Sequence, residues 1–291
     1  MLQEPLIAAP AADPWIIFHD GAYFFCESRG HRTIHVRRAK NILDIGRDPG
    51  VKVWTPPVTG PNSQNVWAPE LHFISGKWYI YFAADDGQNE NHRMWVLEAD
   101  TDDPQGTYSS RGVLQTGGWA IDGSPFQMPD GKLYFVWSGW PGQGDGHQNI
   151  YLAPMSDPAT ISGERILLAE PEHDWERVDM PICEGPQILR REGRTFLLYS
   201  ASGSWTMDYC QGILELTGTD VLNRASWKKI GQVFHKNVGH CSFVKSPCQT
   251  EDWILFHAKS KRQKGWLDRE VHARRFTWRS DGLPAFAVET R

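Results

Sequence analysis

A chain of 291 residues, 40% hydrophobic and 22% charged, has enough apolar surface for a large core and no apolar run long enough to form a membrane-spanning helix. Its formal net charge of −5 offers no basic field for a phosphate backbone, and its densest cationic stretch, Lys259-Ser260-Lys261-Arg262-Gln263-Lys264, is short, so neither nucleic acid nor a membrane is expected as a partner. Five cysteines, an odd number with no Cys-x-x-Cys pair, and the lack of a leader pattern at the start read as a cytoplasmic protein, or a secreted one whose signal peptide has been removed; nothing points to a particular oligomeric state.

Five similar units follow one another along the chain. The first is Asp13-Pro14-Trp15-Ile16-Ile17-Phe18, a turn at Asp20-Gly21, and the apolar strand Tyr23-Phe24-Phe25. The second runs Ala68-Pro69-Glu70-Leu71-His72-Phe73, Gly76 and Trp78-Tyr79-Ile80-Tyr81, and the third Asp122-Gly123-Ser124-Pro125-Phe126, Asp130-Gly131 and Leu133-Tyr134-Phe135-Val136-Trp137. In the fourth, Cys183-Glu184-Gly185-Pro186-Gln187-Ile188-Leu189 precedes Glu192-Gly193 and Phe196-Leu197-Leu198-Tyr199. The fifth, Gly239-His240-Cys241-Ser242-Phe243-Val244, has Thr250-Glu251-Asp252 at its turn before Trp253-Ile254-Leu255-Phe256.

The period is roughly 55 to 62 residues, and after the paired strands each unit adds a third strand and a shorter fourth. Examples are Arg93 to Ala99 then Gly112-Val113-Leu114, and Asn149 to Ala153 then Arg165 to Leu168. Helical periodicity is missing. The pattern predicts an all-β fold, a single five-bladed β-propeller of four-stranded blades over residues 1–291. Polar insertions at 85–92, 139–148 and 200–209 separate second from third strands and are expected to surround a pocket.

In a propeller the first strand of each blade lines the central channel, so strand starts converge. Here they carry Asp13, Glu70, Asp122, Glu184 and His240. An Asp or Ser at one strand start has a sufficient explanation in turn formation. Acidic residues in four of five units do not, because like charges gathered in a low dielectric raise one another's pKa. A carboxyl held protonated beside one held ionised is what glycoside hydrolysis needs, one to protonate the leaving oxygen and one to activate water. Fourteen tryptophans, several beside turns, suit sugar rings, which present apolar C–H faces, and equally suit packing between sheets. Cys183, beside Glu184, has no identifiable His partner and reads as structural.

Asp13-Pro14, Trp67-Ala68-Pro69-Glu70-Leu71-His72, Ala120-Ile121-Asp122-Gly123, Glu184-Gly185-Pro186 and Gly239-His240 together resemble, in order and spacing, glycoside hydrolase family 43. These are five-bladed propellers that cleave arabinose- and xylose-containing polysaccharides with inversion. Gly76 to Asp86, Asn89 to Met94 and Tyr199 to Trp205 are most similar to the α-L-arabinofuranosidase branch, including exo-acting enzymes on α-1,5-linked arabinan.

The resemblance implies Asp13 as the general base and Glu184 as the general acid, with Asp122 raising the pKa of Glu184 and orienting it. Glu70, displaced by two residues relative to Asp13, is then a supporting structural carboxylate. His240 corresponds to an axial histidine near a metal ion, often calcium, reached largely through water; a structural calcium ion beside His240 is expected, and no cofactor for the chemistry. Arg269 is expected to reach the sugar and Trp67 to wall the pocket, against a surface ion pair and blade packing respectively. An exo-acting arabinofuranosidase with an arabinose-containing oligo- or polysaccharide as substrate is therefore expected, its Asp13 and Glu184 carboxyls about 6.5–9.5 Å apart. A β-xylosidase or bifunctional enzyme would use the same three carboxylates, and a non-catalytic carbohydrate-binding propeller the same axial tunnel.

Overall fold

The computed structural model describes residues 4–286 apart from 143, 145 and 235. Five antiparallel sheets follow one another in chain order. Blade 1 holds β1 (Trp15–His19), β2 (Ala22–Arg29), β3 (Thr33–Ala39) and β4 (Val51–Trp54); blade 2 holds β5 (Gln64–Ile74), β6 (Lys77–Asp85), β7 (Arg93–Ala99) and β8 (Tyr108–Val113). Blade 3 holds β9 (Ala120–Gln127), β10 (Leu133–Gly139), β11 (Asn149–Asp157), β12 (Thr160–Ile161) and β13 (Ile166–Ala169). Blade 4 holds β14 (Cys183–Arg191), β15 (Arg194–Ala201), β16 (Cys210–Leu216) and β17 (Trp227–Phe234). Blade 5 holds β18 (Gly239–Lys245), β19 (Asp252–Lys259), β20 (Arg269–Trp278) and β21 (Pro284–Ala285).

The five-bladed propeller expected from the repeat is the fold, with two local departures. Blade 3 gains the two-residue β12, paired with β11 beside β13, and the fourth strand of blade 2 starts at Tyr108 rather than Gly112. Among the described residues every helix is a short 3-10 turn, and no helix is long and apolar enough to cross a membrane.

Blade-making turns follow from chemistry at two adjacent positions. Asp20-Gly21, Ser75-Gly76 and Glu192-Gly193 all have positive φ at both residues, the geometry whose twist matches that of the flanking strands. Within β6, Ile80, Phe82 and Ala84 pack toward blade 1 while Tyr79, Tyr81 and Ala83 pack toward blade 3, so a middle strand is apolar on both faces. Five apolar clusters result, one for each interface between neighbouring blades. The chain start closes the ring: the N–H groups of Leu6 and Ile7 donate to Val271 O, and Ala11 N–H donates to Arg269 O, clipping residues 6–11 onto β20.

Candidate active site

Each innermost strand carries, in its first half or just before it, a residue in the left-handed region: Asp13 (φ 51), Ala68 (φ 41, with Asn65 at φ 48 also in β5), Asp122 (φ 54), Gly185 (φ 54) and His240 (φ 49). In blades 2 to 5 the ladder slips there, so that this residue and the next oppose a single partner, Phe82, Trp137, Tyr199 or Phe256. Such a bulge turns a side chain out of the pleat's alternation. Asp13, Asp122 and His240 hold equivalent places, Glu184 stands one residue before its blade's bulge, and Glu70 two residues after. That offset separates the carboxylates. Asp13, Asp122 and Glu184 line one cavity of about 530 Å³, together with His240, Arg269 and Trp67, so all six residues singled out in the sequence meet there.

Glu70 lies outside the cavity lining, 2% exposed, with its oxygens held by Gln187 Nε2 and by His72 Nε2 at 2.9 Å. Its supporting place matches the expectation. Cys183 is fully buried, 3.9 Å from Glu176, and burial pushes its thiol well up, which suits a structural residue and not a nucleophile.

Asp13 is surrounded by cationic and polar nitrogens. Its Oδ1 is 3.4 Å from Arg269 Nη1, 3.4 Å from His240 Nδ1 and 3.2 Å from His257 Nδ1, and its N–H donates to His257 Nδ1 at 3.1 Å. Burial opposes its ionisation, but Arg269, then His240 and His257, outweigh burial and hold the carboxyl well below the usual range. Arg269 is thus a partner of Asp13 inside the cavity, not a surface ion pair.

Glu184 has the opposite balance. Burial, and then the charge of Asp13, raise its pKa to about 7, against Tyr209, whose hydroxyl donates to Oε1 at 2.7 Å, and Arg269. Asp122, 5% exposed, is raised well above its ordinary value by burial first and by Glu184 and Asp13 next. The influence expected from Asp122 on Glu184 appears in the other direction: the charge of Glu184 helps to raise Asp122, while Glu184 itself is raised by burial and by Asp13. A carboxylate held ionised and a carboxyl held protonated near neutral pH face one cavity.

His240 N–H donates to Ser200 Oγ at 2.6 Å, and its Nδ1 is also 3.8 Å from Asp122 Oδ2. A Cβ on Gly185 would lie 3.3 Å from its ring, so the glycine lets the imidazole approach. Among the described residues no three His, Cys, Asp or Glu side chains are grouped to hold a metal ion. The calcium expected beside His240 thus has no grouped ligand set among the described residues, and an imidazole suits that ion poorly.

Trp67 both walls the cavity and packs into the blade 2–3 cluster, its ring stacked on His92 at 3.9 Å. His92 stands 2.9 Å from Asp85, both 0% exposed, and the Asn65 amide donates to both Asp85 oxygens at 3.0 Å. Of the three polar insertions, 200–209 supplies Ser204 and Trp205 to the cavity, 139–148 supplies Gln148, and 85–92 supplies Asn89; residues 143 and 145 lie outside the described residues.

Sequence reasoning missed His257, Tyr209, Gln148 and Trp266. Tyr209 had a signal in Gly239, where a Cβ would fall 2.0 Å from the tyrosine ring; the glycine beside the axial histidine is the opening through which Tyr209 reaches Glu184. His257 had none, because its role follows only from pairing opposite Gly239.

The sequence profile of glycosyl hydrolases family 43 matches residues 2–284. The chain is 32% identical to alpha-L-arabinofuranosidase 43 of Humicola insolens, over 95% of this chain and 61% of that one, and 31% identical to an extracellular exo-alpha-(1->5)-L-arabinofuranosidase of Streptomyces avermitilis, over 97% and 62%. It spans about three fifths of the length of these two curated relatives. The crystal structure of alpha-L-arabinofuranosidase from Lactobacillus brevis superposes with a TM-score of 0.91 at 34% identity, over 98% of this chain and 95% of that one. With the profile spanning nearly all of its length and a propeller axis carrying three acidic side chains, the chain belongs to glycosyl hydrolases family 43.

Proposed function

We propose that this chain is an inverting glycoside hydrolase that releases terminal L-arabinofuranose from arabinan or arabino-oligosaccharides, residues 1–291 acting as one catalytic propeller. The observation that carries the reading is the opposed ionisation of Asp13 and Glu184 in one cavity. Asp13, ionised, takes a proton from a water whose oxygen attacks the anomeric carbon. Glu184, protonated near neutral pH, gives its proton to the glycosidic oxygen as the carbon–oxygen bond breaks. Asp122 accepts Gly185 N–H at 3.1 Å and so fixes the backbone beside Glu184, while Glu184 opposes the ionisation of Asp122.

Arg269 and His240 hold Asp13 and line the space for the sugar, and Trp67 supplies a flat wall. Both proton transfers run through protein carboxylates, with no step assigned to a metal ion. Side chains from the 139–148 and 200–209 insertions at the cavity support a blind pocket and exo action.

The test is digestion of linear arabino-oligosaccharides with the anomer followed by NMR. Free arabinose appearing first as the β-anomer is the expected result. Longer oligomers appearing first, the α-anomer appearing first, or faster release of xylose from xylo-oligosaccharides would each overturn the reading.

A further inference from the structure

We propose that the leaving-group side of the cavity is built for an aromatic or otherwise apolar alcohol, so that arabinofuranosides carrying such a group are cleaved in preference to those carrying a small polar one. The inference rests on Glu184 as general acid, since the departing oxygen must then lie beside it.

The segments that flank Glu184 present mainly apolar side chains to the cavity, Ser204 apart. Met180 precedes β14 in the same blade, Trp205 lies in the connection from β15 to β16, and Trp266 and Leu267 lie in the connection from β19 to β20. Among the described residues seven large hydrophobic side chains are exposed; Trp266 (52%) and Leu267 (78%) are adjacent in sequence and both line this cavity. The lining from blades 1 to 3 is mixed, with polar His31, Asn65, Asn89 and Gln148 beside the apolar Trp67, Trp119 and Ile121.

Three polar groups of the two tryptophans are already engaged. The Trp205 indole N–H donates to Asp179, a carboxylate also bound by Lys264 Nζ. Its ring lies flat on Gly203, where a Cβ would come within 2.8 Å of Cε2, and its carbonyl accepts Gly265 N–H at 3.0 Å. Trp266 meets it edge-on at 5.5 Å, and the Trp266 carbonyl accepts Arg269 Nε–H at 3.1 Å, from the guanidinium that also reaches Asp13. With the Trp205 indole N–H and the Trp266 carbonyl spent inside the wall, the ring faces of Trp205 and Trp266 and the Leu267 side chain are apolar surface open to a ligand. A preorganised apolar face that stays wet in the free enzyme gains most from an apolar occupant.

The test compares ethyl with 2-phenylethyl α-L-arabinofuranoside, whose alcohols have similar acidity, so leaving-group chemistry is held constant. A kcat/KM ratio of about tenfold or more in favour of phenylethyl is expected, from partial burial of the ring. Trp266→Ser and Leu267→Ser, both at exposed positions and checked for folding by thermal melting, should each lower that ratio to about threefold or less. A wild-type ratio near one, with the ethyl substrate turned over, or a ratio unchanged in both variants, overturns this proposal alone. Failure to cleave either compound removes the arabinofuranosidase reading and this inference together.

Discussion

Asp122 Oδ2 accepts the backbone N–H of Gly185 at 3.1 Å, tying the inner strand of blade 3 to the residue that follows Glu184 in blade 4. The bond spans 63 residues of sequence and holds together two carboxyls, of which Glu184 raises the pKa of Asp122. It also places Gly185, at φ 54, against the His240 ring.

Gly185→Ala should therefore impair both stability and turnover. A side chain at that φ costs about 1–2 kcal/mol, and the new methyl would stand 3.3 Å from the imidazole that positions Asp13. Urea unfolding should show the stability loss. A fall in kcat larger than the rise in KM would locate the catalytic effect at His240 and Asp13.

The pH profile of kcat/KM should be asymmetric. Glu184, raised to about 7, loses its proton as pH climbs through that value, so activity should fall about tenfold per pH unit beyond it. Asp13 is held well below the ordinary carboxylate range, so the base stays ionised on the acid side and no acid limb is expected near pH 4. Rates measured from pH 4 to 9 check both limbs.

Tyr209→Phe should move the alkaline limb upward. The hydroxyl donates to Glu184 at 2.7 Å and stabilises the ionised form; without it the proton is held more tightly, by about one pH unit. A limb that shifts downward or not at all would remove Tyr209 from the control of Glu184.

Glu184→Gln should trade activity for stability. Loss of the acid should lower kcat on alkyl arabinosides by about 10²–10⁴ and much less on a dinitrophenyl arabinoside, whose leaving group needs no proton. Folding raises the Glu184 pKa from 4.5 to about 7, so its ionisation favours the unfolded chain: the penalty is missing below pH 4.5, grows up to about 7 and stays constant above. The variant should thus be more stable than the wild type by about 2–3 kcal/mol at pH 8 and indistinguishable at pH 4, read from urea midpoints at both values.

Asp85→Ala should test the support beneath Trp67. It removes a fully buried carboxylate that accepts from Asn65 and from Gly87 N–H at 2.8 Å and that meets His92 at 2.9 Å, at a cost of about 3 kcal/mol. Trp67 stacks on His92, so KM should rise with little change in kcat, the pattern of a displaced wall.

The repeat alone determined the all-β class, the blade count and the order of the sheets, because four of the five units write a glycine turn and all five an apolar middle strand, and such units bury their faces only against one another. It also brought Asp13, Asp122, Glu184 and His240 to one axis, since strand starts converge in a ring of blades. The sequence did not carry the left-handed turn at Asp13 or the bulges that turn Asp122 and His240 inward, because a left-handed aspartate, alanine or histidine has no compositional mark. Nor did it carry which carboxyl keeps its proton. That balance depends on Arg269, His257 and Tyr209, which lie 256, 244 and 25 residues along the chain from the carboxyls they touch and meet them only when the last blade closes against the first and the 200–209 insertion folds over the axis.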